Sequence, residues 1–139
     1  MATTNEGGCR VPDGHDPAVI ETVLRVCRDV RANEKVTLAA FETGWVESHM
    51  NNLDCGDEDS VGVFQQRPSQ GWGSVEECRD IEHATRSFLE RAVPAERDNP
   101  EHSAGRIAQT VQRSAYPGRY DDAEGKARAL IEEAERRLS

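Results

Sequence analysis

The sequence lacks the patterns typical of several large protein classes. It has no apolar run of about 18 residues, so we expect no transmembrane helix. It has no GxSxG elbow, no phosphate-binding loop and no dinucleotide fingerprint, which argues against serine-hydrolase and nucleotide-dependent chemistry. No cysteine lies in a local signature that would pair it with histidine and asparagine, and no internal repeat is present.

A metal site is not expected either. The four cysteines form no CxxC pair and do not combine with the four scattered histidines into a zinc-ligand pattern. An EF-hand loop is begun, because Asp57, Asp59 and Gly62 occupy its positions 1, 3 and 6. Val61 and Pro68 stand at positions 5 and 12, where calcium needs oxygen ligands. We therefore expect neither a metal nor a cofactor.

Positive charge is scarce. The 139 residues carry 26 acidic against 17 basic side chains, for a net charge of -9. Such a charge does not suit binding to nucleic acid or to an anionic membrane surface. We therefore expect no nucleic acid and no membrane among the partners. A monomer that binds a neutral, cationic or mixed ligand is expected instead.

The four cysteines are widely spaced and even in number, which suits two disulfides in an oxidising compartment. Three pairings are possible, and buried free thiols are the alternative. We favour Cys9 with Cys27, which would tie an N-terminal arm to the first helix, and Cys55 with Cys78, which would close a polar loop. The N-terminus MATTNEGG does not resemble a signal peptide, so the chain is either intracellular or has lost a signal. Disulfides favour a secreted protein.

Helical periodicity dominates, and the predicted fold class is mainly α. Capping residues and apolar stripes predict helices over 17–31, 33–48, 80–91 and 103–112, with short helices near Ser74. The third is expected to stop before Pro94. A long C-terminal helix has one apolar face: Ala123, Ala127, Leu130, Ile131, Ala134 and Leu138. Only Ser60 to Gln66 has the residues of a short strand. We divide the chain into an N-terminal arm, 1–16, and one domain, 17–139.

Glu47 is the candidate catalytic acid. It lies near the end of the second predicted helix, which is apolar nearly all round and should be central and buried. Burial disfavours the charged form of a carboxyl and raises its pKa toward the range that a general acid needs. The alternative is that Glu47 only hydrogen-bonds a neighbouring loop.

The residues after Glu47 resemble a known pattern. Glu47-Ser48, an acidic loop and then Gly62-Val63-Phe64-Gln65-Gln66 resemble the Glu-Ser pair and Gly-to-Gln motif of lysozyme-like lytic transglycosylases and goose-type lysozymes. The strings GDEDSVGVFQQRPSQGWG and VQRSAYPGRYD are similar to those of small secreted actinobacterial and fungal proteins with this domain, including fungal muramidases. The similarity covers roughly residues 17 to 133.

This resemblance implies a lysozyme-like domain with a central buried helix and a small β-hairpin or irregular loop beside the cleft. It implies cleavage of the β-1,4 bond between N-acetylmuramic acid and N-acetylglucosamine in peptidoglycan glycan strands. Gln65 matches the motif glutamine that lines the cleft, and Gln66 is grouped with it as substrate-binding. Tyr116 is matched to an aromatic residue near the acid. Arg67 stands where goose-type lysozymes have another acid, so their water-activating arrangement is not copied.

Three further residues are candidates from their chemistry. A second carboxylate beside the sugar can activate water or stabilise positive charge, and Asp59, with Asp57 behind it, is placed to do so. The alternative is that both cap backbone N–H groups of their own loop. Trp72, between two glycines, either stacks on a sugar ring or plugs the core.

We therefore expect a secreted muramidase. The alternatives are a lytic transglycosylase acting on the same bond, a chitinase, and a non-catalytic module that binds cell wall or chitin.

Overall fold

The structure is a computed structural model that describes residues 2–4 and 8–139; parts of the predicted arm, residues 1 and 5–7, lie outside them. Helices account for most of the described chain, which confirms the mainly α fold class. They are α1 (Pro17–Asp29), α2 (Glu34–Ser48), α3 (Val75–Arg79), α4 (Ile81–Asp98), α5 (Ala104–Gln112) and α6 (Glu124–Leu138). Single 3₁₀ turns lie at Pro68–Gln70 and Asp121–Ala123. Among the described residues no helix has the length and apolar character needed to span a bilayer.

Helix α2 lies at the centre of the fold, where it contacts α1, α4, α5 and α6. Its side chains are apolar on nearly all sides, so surrounding it with other helices removes the most surface from water. Its buried residues include Val36, Leu38, Ala39, Ala40 and Phe41. The side chain of Asn33 caps its first turn by accepting a hydrogen bond from the N–H of Val36 at 2.8 Å.

Helix α4 does not stop before Pro94, as the sequence predicted, but continues to Asp98. Proline at that position leaves the carbonyl of Glu90, four residues earlier, without its helical partner. Glu90 and Pro94 both line an open groove, where water can hydrate that carbonyl. Helix α4 also packs against α1 and α5, and this contact offsets the lost bond.

The predicted disulfide pairing is wrong. Cys9 is bonded to Cys55, with their Cα atoms 5.6 Å apart, while Cys27 and Cys78 are free and buried. Cys27 lies on the buried face of α1, whereas Cys9 lies in a separate cluster with Leu53 and Cys55. The arm instead forms a hairpin of β1 (Ala2–Thr4) and β2 (Arg10–Pro12), which the sequence did not predict.

This arm packs over the loop that follows α2. Cys9 and Val11 form a small apolar cluster with Leu53, and Cys55 is packed against it. The apolar cluster brings the two half-cystines together, which sequence spacing alone could not predict.

The predicted strand over Ser60 to Gln66 is also wrong. Only Val61 and Gln66 pair, through two backbone hydrogen bonds of 3.1 Å. Between them the chain turns at Gly62 and Gln65, whose φ angles are 85° and 52°. A side chain at position 62 would collide with the carbonyl oxygen of Cys78, so this turn requires glycine. The segment beside the groove is therefore an irregular loop.

Candidate functional site

Glu47 lies in the last turn of α2, where the helix leaves the core. The helix ends because His49 and Met50 adopt left-handed backbone conformations, with φ of 53° and 58°. Glu47 is half-buried, whereas the next residue, Ser48, is fully buried. The helix thus carries a carboxyl from the core to the edge of the surface.

Two side chains donate hydrogen bonds to the same oxygen of this carboxyl. The hydroxyl of Tyr120 donates to Oε2 of Glu47 at 2.6 Å, and the amide of Gln112 donates to it at 3.2 Å. No described hydrogen bond reaches Oε1. Both donors favour the charged form, yet burial outweighs them and raises the pKa of Glu47 above its ordinary value. Arg119 acts with the two donors in the lowering direction.

Gln112 and Ser48 fix the loop beside Glu47. The amide of Gln112 also donates to the carbonyl oxygen of Phe64 at 3.0 Å. The hydroxyl of Ser48 donates to the carbonyl oxygen of Val63 at 2.7 Å. The Glu-Ser pair is therefore joined to the Gly-to-Gln motif directly by the Ser48 hydroxyl and indirectly by Gln112, whose amide donates to both Glu47 and Phe64.

An open groove with a volume of about 740 Å³ runs next to this carboxyl. Its walls are residues 65–67, 70 and 72 of the loop, 90, 91 and 94 of α4, and 110–113 at the end of α5. Glu47 does not line the groove directly. Gln112 does, and its amide therefore connects the groove wall to the carboxyl.

Gln65 and Gln66, the two predicted substrate-binding glutamines, both line the groove but have structural partners. The amide of Gln65 donates to the carbonyl oxygens of Cys55 and Gly62, at 3.1 and 3.0 Å. The amide of Gln66 donates to the carbonyl oxygen of Ala84 at 3.0 Å, and its residue is 2% exposed. These contacts hold the wall in place.

Asp59 and Asp57 differ in their surroundings. Asp59 accepts from Nε of Arg67 at 2.6 Å and from the backbone N–H of Ser69 at 2.8 Å. The hydrogen bond from Arg67 is the main reason why the pKa of Asp59 lies well below its ordinary range. Asp57 is exposed. In the described chain no hydrogen bond joins either residue to Glu47, and no three potential ligand side chains converge on a metal-sized site.

The two remaining candidates, Trp72 and Tyr116, lie in different settings. Trp72 lines the groove and also packs against the core, so its position is compatible with both predicted roles. The guanidinium carbon of Arg91 lies 3.4 Å above the centroid of its ring. Tyr116 is 62% exposed, and Arg119 lies 5.1 Å from its ring centroid. The tyrosine that contacts Glu47 is Tyr120, four residues further on.

A fully buried carboxyl, that of Glu42, lies earlier on the same helix. Glu42 is 0% exposed, and neither of its oxygens has a hydrogen-bond partner in the described chain. Burial, together with the nearby charges of Asp121 and Glu124, raises its pKa to about 8, against an opposing effect of Arg128.

The segment that carries Tyr120 is held against α5 at Gly105. A Cβ atom there would lie 2.5 Å from the backbone nitrogen of Asp121, which leaves no room for a side chain. The hydroxyl of Ser103 donates to Oδ1 of Asp121 at 2.8 Å. These contacts place Tyr120, the preceding residue, beside the end of α2.

Tyr120, Gln112 and Ser48 were not assigned roles from the sequence. Tyr120 and Gln112 fall within the string VQRSAYPGRYD, but Tyr116 is the residue of that string that was given a role from the sequence. No protein-family model matches this chain, and no curated protein matches it significantly.

Proposed function

We propose that this chain is a lysozyme-like glycosidase that cleaves the β-1,4 bond between N-acetylmuramic acid and N-acetylglucosamine, with Glu47 as general acid. The observation that carries the proposal is the Glu47 carboxyl, which is half-buried, has a raised pKa and adjoins a groove through Gln112. A raised pKa increases the fraction of the carboxyl that is protonated at a given pH, as donation to a leaving oxygen requires. The groove gives a glycan strand a place to lie.

The hydrogen bonds around Glu47 suggest which oxygen donates the proton. Tyr120 and Gln112 both donate to Oε2, so that oxygen is already satisfied as an acceptor. In the acid form the proton therefore resides on Oε1. Oε1 gives it to the glycosidic oxygen as the bond to the anomeric carbon breaks, and the carboxylate left behind is stabilised by the two donors.

The step that follows is either hydrolysis or internal attack. In a hydrolase, water adds to the anomeric carbon, with Asp59 as the candidate to assist it. In a lytic transglycosylase, the 6-hydroxyl of the muramyl residue attacks, and no second carboxylate is needed. The second route is favoured by one observation: both oxygens of Asp59 are engaged by Arg67 and Ser69 within its own loop.

The products from purified peptidoglycan distinguish these possibilities. Mass spectrometry should find new reducing ends for hydrolysis and anhydro-muramyl ends for transglycosylation. Glu47→Gln should lower either activity by about a hundredfold to ten-thousandfold. Asp59→Asn should lower hydrolysis only. Absence of any product from peptidoglycan and from chitin, with the wild-type protein folded, would refute the enzyme and leave a wall- or chitin-binding module.

We also propose that the protein acts outside the cell. The Cys9–Cys55 disulfide is compatible with an oxidising compartment, where such bonds persist. The test is to grow cells of the natural source and to look for the protein, with this bond intact, in the culture medium.

A further inference from the structure

The groove differs from the rest of the molecule in charge. The whole chain has a net charge of -9. The groove nevertheless has three arginines in its wall, Arg67, Arg91 and Arg113, against one carboxylate, Glu90. A cleft that concentrates charge of one sign attracts ligands of the opposite sign.

The three arginines are not equivalent. Arg67 is bound to Asp59 at 2.6 Å, and the charges of Asp57 and Glu58 lie nearby. Its end of the groove therefore has no surplus of positive charge. Arg91 and Arg113 form no ion pair within the described part of the chain. The guanidinium carbon of Arg91 lies 3.4 Å from the centroid of the Trp72 ring, a cation–π contact that holds the group at the groove wall. No hydrogen bond within the described residues occupies its N–H groups, which a ligand can therefore engage.

Arg113 occupies an unusual backbone position. It follows the last residue of α5 with a φ of 53°, in the left-handed region that glycine or asparagine normally occupies at a helix end. An arginine there is sterically disfavoured relative to glycine. The α5 terminus itself attracts a positive charge, which offsets part of this strain. Arg113 therefore places a positive charge in the groove wall at a position where glycine would fit the backbone better.

We propose that Arg91 and Arg113 bind carboxylates of the glycan, so that this groove selects muramic acid-containing strands over neutral N-acetylglucosamine oligomers. The inference rests on the proposed function, because it concerns the substrate of Glu47. Guanidinium groups pair with carboxylates through two parallel hydrogen bonds, and chitin offers them no carboxylate. In peptidoglycan the carboxylate comes either from the stem peptide or, once the peptide is removed, from the lactyl group.

The test is a binding measurement by calorimetry in the Glu47→Gln background, where strands are not consumed. The ligands are muramic strands with stem peptides, the same strands after amidase treatment, and N-acetylglucosamine oligomers of equal length. We expect both muramic ligands to bind about tenfold or more tighter than the neutral oligomer at low salt. The difference should shrink as salt is raised. The tighter of the two muramic ligands identifies the source of the carboxylate.

Two variants connect this preference to the arginines. Arg91→Gln and Arg113→Gly should each reduce muramic binding about threefold to tenfold while binding to the neutral oligomer stays constant. Arg113→Gly is the sharper variant, because glycine suits the left-handed backbone and the fold should not weaken. Arg136→Gln is the control, since Arg136 is exposed in the last turn of α6, outside the groove wall. It removes the same charge and should leave the preference unchanged.

Equal binding of muramic and neutral ligands, binding of neither, or an unchanged preference in both groove variants would overturn the proposal. Cleavage by the wild-type protein is measured separately. A protein that cleaves strands but keeps its preference in both variants would retain the proposed function and lose this inference. Arginine-dependent binding of muramic strands without any cleavage would support the role of the two arginines and refute the proposed enzymatic function.

Discussion

The hydroxyl of Tyr120 donates a 2.6 Å hydrogen bond to Oε2 of Glu47, across 73 residues of sequence. Tyr120 is 0% exposed, so its hydroxyl has no access to bulk water and depends on this acceptor. Burial, and after it proximity to the Glu47 carboxylate, raises the pKa of Tyr120, so the phenol stays neutral and a donor. The pair therefore links the proton affinity of the candidate acid to the packing of the segment before α6.

We predict that Tyr120→Phe shifts the pH profile of activity to higher pH. The hydrogen bond from Tyr120 lowers the pKa of Glu47, so its loss raises that pKa further. A general acid works while protonated, and the alkaline limb of activity should therefore move upward. The free energy of unfolding should fall by about 1.5–3 kcal/mol, as for a hydrogen bond to a charged group. Tyr116→Phe is the control, because Tyr116 is exposed, and an identical shift in both variants would contradict the assignment.

Glu42 predicts that stability depends on pH. Its pKa is raised from an ordinary 4.5 to about 8 in the folded chain. Its stabilising contribution is fully present below about pH 4.5, and it is lost as the pH rises through about 8. Between these limits the free energy of unfolding should fall by about 1.4 kcal/mol per pH unit from this group.

Chemical denaturation at several pH values measures that slope. Glu42→Gln cannot ionise and should remove the slope, whereas Glu132→Gln, at an exposed position on α6, should retain it. If wild-type stability is the same at pH 5 and pH 8, the pKa of Glu42 is not raised in the folded chain.

Trp72→Ala should weaken both stability and binding, because Trp72 contacts the core and the groove. Loss of a half-buried ring should lower the free energy of unfolding by about 1.5–3 kcal/mol. It should also raise the Michaelis constant for peptidoglycan, since Arg91 loses the ring that orients it. Trp45→Ala is the matched control: Trp45 is also half-buried against the core but lies outside the groove wall, so only the melting temperature should fall.

The disulfide predicts a specific thiol count. In denaturant without reductant, titration should find two thiols, those of Cys27 and Cys78, and peptide mapping should link Cys9 to Cys55. In the native state Cys27 should not react with alkylating reagents at neutral pH, because burial raises its pKa to about 12.

The same bond should also contribute to stability. A loop with a sequence separation of 46 corresponds to about 4 kcal/mol of chain entropy. Replacing both Cys9 and Cys55 by serine should lower the melting temperature accordingly. An unchanged melting temperature, or a denaturant count of four or zero thiols, would contradict the bond.

Local features of the sequence predicted most of the helical fold. Side chains at or near the predicted helix starts accept capping hydrogen bonds, as Asp16, Asn33, Ser74 and Ser103 do. The apolar residues on nearly all sides of α2 likewise predicted its central position. These features depend on residues within one or two turns of each other, so the sequence contains the information directly.

Relationships across long sequence distances were not predictable in the same way. The partner of Cys9 depends on the arm packing over Leu53, and Pro94 continues a helix because its end of α4 borders open solvent. Tyr120, rather than Tyr116, approaches Glu47 because of how the chain crosses α5. Each outcome is decided by packing between elements that no local pattern describes.

The absence of a side chain at Gly105 determines how closely the crossing segment approaches the core. Asp121 fills the space where a Cβ atom would stand, and Tyr120 is its neighbour in the chain. A larger residue at position 105 would displace this segment outward and increase the distance between the Tyr120 hydroxyl and the Glu47 carboxyl. A substitution at position 105, which contacts neither the acid nor its groove, should therefore change the pKa of Glu47.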